Sequence, residues 1–175
     1  MSHYTGNNRL DELIRKYSDT VYRIAVLRCP NRADADDVYQ EVFIKLVRHA
    51  AELTTDEHVK AWLIKVTINQ CNTLLSRRSA QKEDSLDDMY HDPVKEEQTQ
   101  SESEYILIEL LKKLVPPEYR DVIYLFYFEE YSIKEICLIM DKTQANIKVL
   151  LNRARNKLKK QLEELGIRGY GELTN

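Results

Sequence analysis

The chain has 175 residues, about 43% of them hydrophobic, enough for one ordinary packed domain or two small ones. No apolar run approaches the ~20 residues of a membrane span, and the polar stretch Met1–Asn8 lacks a signal-peptide core. Cys29, Cys71 and Cys137 are scattered without a CxxC pair, which argues for reduced thiols in a cytoplasm and against zinc or a disulfide framework. The formal net charge of −3 averages unlike segments. Residues 1–82 carry 13 basic and 10 acidic side chains (+3), residues 83–104 carry Lys95 against nine acids (−8), and residues 105–175 carry 12 and 10 (+2). Local charge, and not the whole-chain balance, decides whether such a protein suits nucleic acid.

Leu10, Leu13, Ile14, Tyr17, Val21 and Ile24 recur at helical spacing and predict an amphipathic helix over residues 9–28. Pro30 ends it. A second helix starts near Ala33. Asp34, Asp36 and Asp37 crowd its first turn, where acids suit the helix dipole, and Val38, Val42, Phe43, Leu46 and Val47 form its apolar face. A loop runs from His49 to about Thr55. Thr54 and Glu57 have capping-box spacing and predict the start of a third helix. That helix runs to about Arg78, with Val59, Trp62, Leu63, Val66 and Leu74 on or near its inner face; at this spacing Trp62 suits a core better than a stacking wedge. Residues 79–103 lack apolar periodicity, are rich in Gln, Ser, Glu and Asp, and contain Pro93. They read as a flexible linker on which Leu86, Met89 and Tyr90 are the candidates for transient docking.

A second lobe starts near Glu104. Its first helix holds Ile106, Leu107, Leu110, Leu111 and Leu114. Pro116-Pro117 ends that helix and starts the next, which Val122, Ile123, Leu125, Phe126 and Phe128 fill. Ser132 and Glu135 form a second capping box and open a short amphipathic helix, followed by the turn Asp141-Lys142-Thr143 and a basic helix. Asp141 tolerates left-handed backbone better than most residues, and Thr143 suits an N-cap. From Lys142 to Gln161 the charged residues are Lys142, Lys148, Arg153, Arg155, Lys157, Lys159 and Lys160, with no acid among them. A helix-turn-helix with such a second helix suits the major groove of DNA. Gln144, Asn146 and Lys148 lie in its early turns: Gln and Asn can read adenine, and Lys can read guanine or hold a phosphate. Ile147, Leu151, Ala154 and Leu158 should face the core, and Arg153, Arg155 and Lys157 suit phosphates. His3, His49, His58 and His91 show no metal spacing, and there is no glycine-rich phosphate loop or nucleophile motif, so no catalysis, cofactor or metal is expected.

The expected fold is all-α: two small helical domains, residues 1–80 and 104–165, joined by a flexible acidic linker over 81–103, the second containing the helix-turn-helix, with a tail from 166 to 175. Three blocks then carry a family likeness. Arg32-Ala-Asp-Ala-Asp-Asp-Val-Tyr-Gln-Glu-Val-Phe-Ile-Lys-Leu is the first. Ala61-Trp-Leu-Ile-Lys-Val-Thr-Ile-Asn-Gln-Cys-Asn-Thr-Leu-Leu-Ser-Arg-Arg is the second. The third is Leu114-Val-Pro-Pro-Glu-Tyr-Arg-Asp-Val-Ile with the helix-turn-helix ending Asn152-Arg-Ala-Arg-Asn-Lys-Leu. In this order, over roughly residues 9–165, the chain resembles bacterial RNA polymerase sigma factors of the extracytoplasmic-function (ECF) group.

The resemblance implies an alternative sigma factor, not an enzyme, acting in the cytoplasm without membrane insertion. Its implied partners are core RNA polymerase, promoter DNA and an anti-sigma factor. Asp34, Asp37, Gln40, Glu41 and Lys45, spaced so that several project from one side of a helix, would dock on the clamp coiled coil of the polymerase's largest subunit. Asn69, Asn72, Ser76, Arg77 and Arg78 would contact the non-template strand of the minus-10 element, with the loop Ala50–His58 as pocket wall; Asn69 could equally hold that loop. Lys142, Thr143, Gln144, Asn146, Lys148, Asn152, Arg153 and Arg155 would bind the minus-35 duplex. The alternative is a conventional helix-turn-helix regulator that binds duplex without polymerase. It accounts for the second lobe but leaves the Asp-rich helix and the Trp62–Arg78 block unexplained.

Overall fold

A computed structural model describes residues 4–81 and 102–167, and within them the regular elements are helical. Most of the expected acidic linker therefore lies outside the described residues, with Leu86, Met89, Tyr90, His3, His91 and the tail beyond Ile167. The chain divides into two compact units, residues 1–95 and 96–175.

The first unit is built from α1 (Tyr4–Arg28), α2 (Arg32–His49) and α3 (Asp56–Gln81), each packed against the other two. α1 starts at Tyr4, ahead of the expected residue 9. Asn31 caps α2, its side chain accepting the Asp34 N–H at 2.9 Å. Leu13, Tyr17, Val21 and Ala25 of α1, Val38, Val42 and Leu46 of α2, and Val59, Leu63 and Cys71 of α3 form the core. Recurrence every three or four residues gives each helix one apolar stripe, and each aliphatic side chain fully enclosed there stabilises the unit by about 1.5–3 kcal/mol at most. Val47 is not among them. The inward line of α2 is filled by Ala35, Val38, Val42 and Leu46, and Val47, ~100° round from Leu46, is 56% exposed.

The capping box expected from Thr54 and Glu57 does not form. Thr55 is the cap: its Oγ1 accepts the His58 N–H at 3.2 Å and its carbonyl accepts the Val59 N–H at 3.0 Å. A box needs an acid or amide at the third helical position, and here that residue is His58. The loop before α3 is held against α1, since Arg9 donates to the Leu53 carbonyl at 2.6 Å and the Tyr17 hydroxyl donates to the Asp56 carbonyl at 3.1 Å. Trp62 is half-buried against the core, its ring 5.6 Å from that of His49.

The second unit contains α4 (Glu102–Lys112), α5 (Glu118–Ile123), a π-helical turn (Tyr124–Phe128), α6 (Ile133–Met140) and α7 (Gln144–Glu164). α7 packs on α4, α5 and α6. Leu110, Leu111, Leu114, Val122, Ile123, Leu125, Ile136 and Ile139 close over Ile147, Leu151, Ala154, Leu158 and Leu162. The helix expected to run evenly through Phe128 widens after Ile123, where the Glu129 N–H reaches the Tyr124 carbonyl at 3.2 Å. The extra residue in that turn rotates the later side chains. Leu125 stays buried, Phe126 is half-buried and Phe128 is 39% exposed, so the two phenylalanines are not the core residues expected. α7 ends at a left-handed glycine, Gly166 (φ 69°), with the Ile167 N–H on the Leu162 carbonyl and the Gly166 N–H on that of Glu163. That pairing satisfies carbonyls the helix end would otherwise leave open.

Candidate partner and nucleic-acid interfaces

α2 presents two different sides. Asp37, Gln40 and Glu41 are exposed and share a line with Ile44 (45% exposed) and Val47 (56%). Lys45 is half-buried and its ammonium donates to the Gln70 side chain of α3 at 2.6 Å. Asp34 leaves the group altogether: it is 5% exposed, and its carboxylate pairs with Arg78 at 2.5 Å. Of the five residues expected on one docking face, three are there, one bridges to α3 and one is enclosed. The sequence pattern does not single out Ile44 and puts Val47 on the inward apolar face, and both are exposed. The available signal was a surplus: α2 has more large apolar residues than one inward stripe can hold.

The outer side of α3 carries Asn69, Asn72, Ser76 and Arg77, all exposed. Asn72 is engaged from behind, because the buried Arg28 of α1 donates to its side-chain oxygen. Arg78, expected to face DNA, is turned to Asp34 while its side chain keeps 44% exposure. The two arginines thus tie α3 to both other helices. This fixes the exposed amides and Arg77 on a rigid support. The loop 50–55, with Glu52, Thr54 and Thr55 exposed and Leu53 packed on the core, lies instead at the N-terminal end of α3, about 20 Å along the helix axis from Asn69.

The helix-turn-helix of the second unit forms as expected. The Ser132 hydroxyl accepts the Glu135 N–H at 3.3 Å while the Glu135 carboxylate accepts from the Ser132 N–H at 2.8 Å and its hydroxyl at 2.6 Å. These hydrogen bonds from Ser132, the hydroxyl's foremost, hold the Glu135 carboxyl below its ordinary range. Asp141 takes the left-handed conformation (φ 52°, ψ 45°) and its N–H returns to the Cys137 carbonyl. Thr143 caps α7, its Oγ1 accepting from the Asn146 N–H at 3.3 Å.

On α7, Gln144, Asn146, Lys148, Asn152 and Arg153 are exposed, with Thr143 exposed and Lys142 half-buried before them. Arg155 does not stand with them. Its guanidinium lies 5.4 Å from the Phe126 ring and 5.5 Å from that of Tyr127, and its Nε donates to the Tyr127 hydroxyl at 2.7 Å. Lys157 folds back too, donating to the Val115 carbonyl at 2.7 Å over the Tyr119 ring. Two cations expected at phosphates therefore hold the unit's own aromatic side chains. Two apolar residues, Ala145 and Val149, are exposed on the outward side of α7. Among the described residues no group of three or more His, Cys, Asp or Glu could hold a metal.

Residues 13–81 match the family described as Sigma-70 region 2, and residues 106–158 match Sigma-70, region 4. The chain is 28% identical over 153 residues to the ECF RNA polymerase sigma factor SigM of Bacillus subtilis, covering 86% of this chain and 93% of that one. It is 28% identical over 162 residues to the ECF RNA polymerase sigma factor SigM of Mycobacterium tuberculosis, covering 92% and 81%. In fold it is similar to the sigma factor RpoE in its co-crystal structure with the anti-sigma factor NepR from Bartonella quintana. That match has a TM-score of 0.72 at 18% identity and covers 87% of this chain and 96% of that one. It is also similar to CnrH in complex with the cytosolic domain of CnrY, with a TM-score of 0.63, 20% identity and 90% of each chain covered.

Proposed function

The chain belongs to the sigma-70 family of RNA polymerase sigma factors, in its ECF group, and on that premise we propose how its surfaces divide the work of transcription initiation. It is an alternative sigma factor. The exposed line of α2 docks on core polymerase: Asp37 and Glu41 meet basic residues and set register, while Ile44 and Val47 supply apolar area. Asn69, Asn72, Ser76 and Arg77 on α3 contact the unpaired non-template strand of the minus-10 element, where polar edge readers and positive charge suit a base drawn out of the stack. The outward face of α7 lies in the major groove of the minus-35 element, with Gln144, Asn146 and Lys148 at base edges and Arg153 at phosphate.

The chemistry of RNA synthesis belongs to the polymerase; this chain supplies the address and the opening of the strands. The reading places the chain in the cytoplasm, and no helix of the described residues is long and apolar enough to cross a membrane. Two structures that resemble it are complexes, one with the anti-sigma factor NepR and one with the cytosolic domain of CnrY, which supports an anti-sigma factor as its silencing partner. The observation that carries the proposal is the ordered pair of regions 2 and 4 in one chain, each on a surface whose chemistry suits its task.

Run-off transcription with purified core polymerase tests it. Defined start points should appear when chain and core are both present and with neither alone. Tight, sequence-specific duplex binding by the chain without core, and no transcript with it, would favour the conventional regulator instead.

A further inference from the structure

Val149 is an apolar side chain on the most outward line of α7. At ~100° per residue it points about 180° from the mean direction of Ile147, Leu151, Ala154, Leu158 and Leu162, the stripe buried in the core of the second unit. It is 46% exposed. Ala145, one turn earlier, is exposed beside it. Lys148, Asn152 and Arg153 stand exposed around this strip, and no acid occurs from Lys142 through Gln161.

The core does not need Val149, and a β-branched residue is a poorer helix former than the Ala, Gln or Lys that would serve a solvated face. A single exposed hydrophobic residue is ordinary; what matters is its place. It lies in the second turn of a recognition helix, where side chains reach base edges, and cations on either side suit the two phosphate walls of a groove. The floor of the major groove offers one apolar feature, the 5-methyl group of thymine.

We propose that Val149, flanked by Ala145, reads the 5-methyl group of a thymine in the upstream promoter element, so that preference at one A·T pair comes from apolar contact and not from a hydrogen bond. This rests on the reading of α7 as the duplex-reading helix. The neighbouring polar side chains then set the adjacent positions, and the methyl contact fixes which strand carries the thymine.

The test uses holoenzyme assembled from the full chain and core polymerase on a promoter identified by mapping its start points. Each thymine of the upstream element, on either strand, is replaced singly by deoxyuridine, which lacks the methyl and pairs unchanged. One replacement should lower initiation about three- to fivefold, the worth of one apolar carbon group. With Val149→Ala holoenzyme the same replacement should have no further effect. The wild-type scan needs no variant to fold. Indifference of the wild type to every deoxyuridine, while transversions of the same base pairs impair initiation, would overturn the methyl contact and leave α7 as the duplex reader. A deoxyuridine loss that persists undiminished in Val149→Ala would overturn it too. If the transversions are also harmless, the assignment of α7 itself falls, and this inference with it.

Discussion

The carboxylate of Asp34 is nearly enclosed, and its Oδ2 has no hydrogen-bond partner among the described residues. Its ion pair with Arg78 therefore matters more than a surface pair would, because a buried charge stripped of its partner is costly. Arg78→Ala should destabilise the first unit by about 1–3 kcal/mol, read as a lower urea midpoint. Arg77→Ala, on the exposed side of the same helix, should leave that midpoint within about 0.5 kcal/mol and reduce promoter opening measured by permanganate footprinting. An unchanged midpoint for Arg78→Ala would mean that the pair carries no weight. Glu135 makes a second prediction at this scale. Its folded carboxyl titrates below the ordinary 4.5, so its contribution is complete above that value and is lost as pH falls through the depressed one. The group is exposed, so the effect is on the order of a few tenths of a kcal/mol. Between pH 6 and pH 3 the thermal midpoint of wild type should fall slightly further than that of Glu135→Gln; parallel slopes would show that the capping carboxylate is not linked to folding.

At the scale of the element, local chemistry was legible in the helix-turn-helix, less so at the start of α3, where the cap is Thr55 and not Thr54, and tertiary choice was not. Ser132, Glu135, Asp141 and Thr143 could be placed because caps and left-handed turns depend on residues within four positions of one another. Arg155 and Lys157 could not, because aromatic rings and a carbonyl from the preceding helices decide where their charges rest. Val47 failed for a related reason: apolar character does not say which of two helix faces a side chain takes when the inward face is already full. The same surplus supports the proposed docking role of α2, since acids steer an encounter while buried apolar area holds it. Reversing charge at Asp37 and Glu41 together should weaken binding to core polymerase in a pull-down and leave helical content unchanged. Val47→Ala should weaken it about fivefold with the same fold. A variant of either kind that bound core as wild type would remove this face from the interface.

At the scale of the whole molecule, the proposed function has two units recognise two separate stretches of one promoter. Linking them makes the second contact intramolecular, at an effective concentration near the millimolar range for a short connection. Each unit has its own buried core, so cutting the chain between them should leave both helical. A specific protease site inserted at Asp92–Pro93 provides the cut. Cleavage before core polymerase is added should reduce initiation at promoters that depend on the upstream element by about 100-fold or more, at concentrations far below the effective one. Cleavage after the holoenzyme has formed should reduce it less, because the polymerase then holds both pieces. The far-ultraviolet circular dichroism signal should stay constant through both cuts. Equal initiation from cut and uncut chain, with cleavage made first, would mean that the covalent connection contributes nothing and that the polymerase alone brings the two readers together.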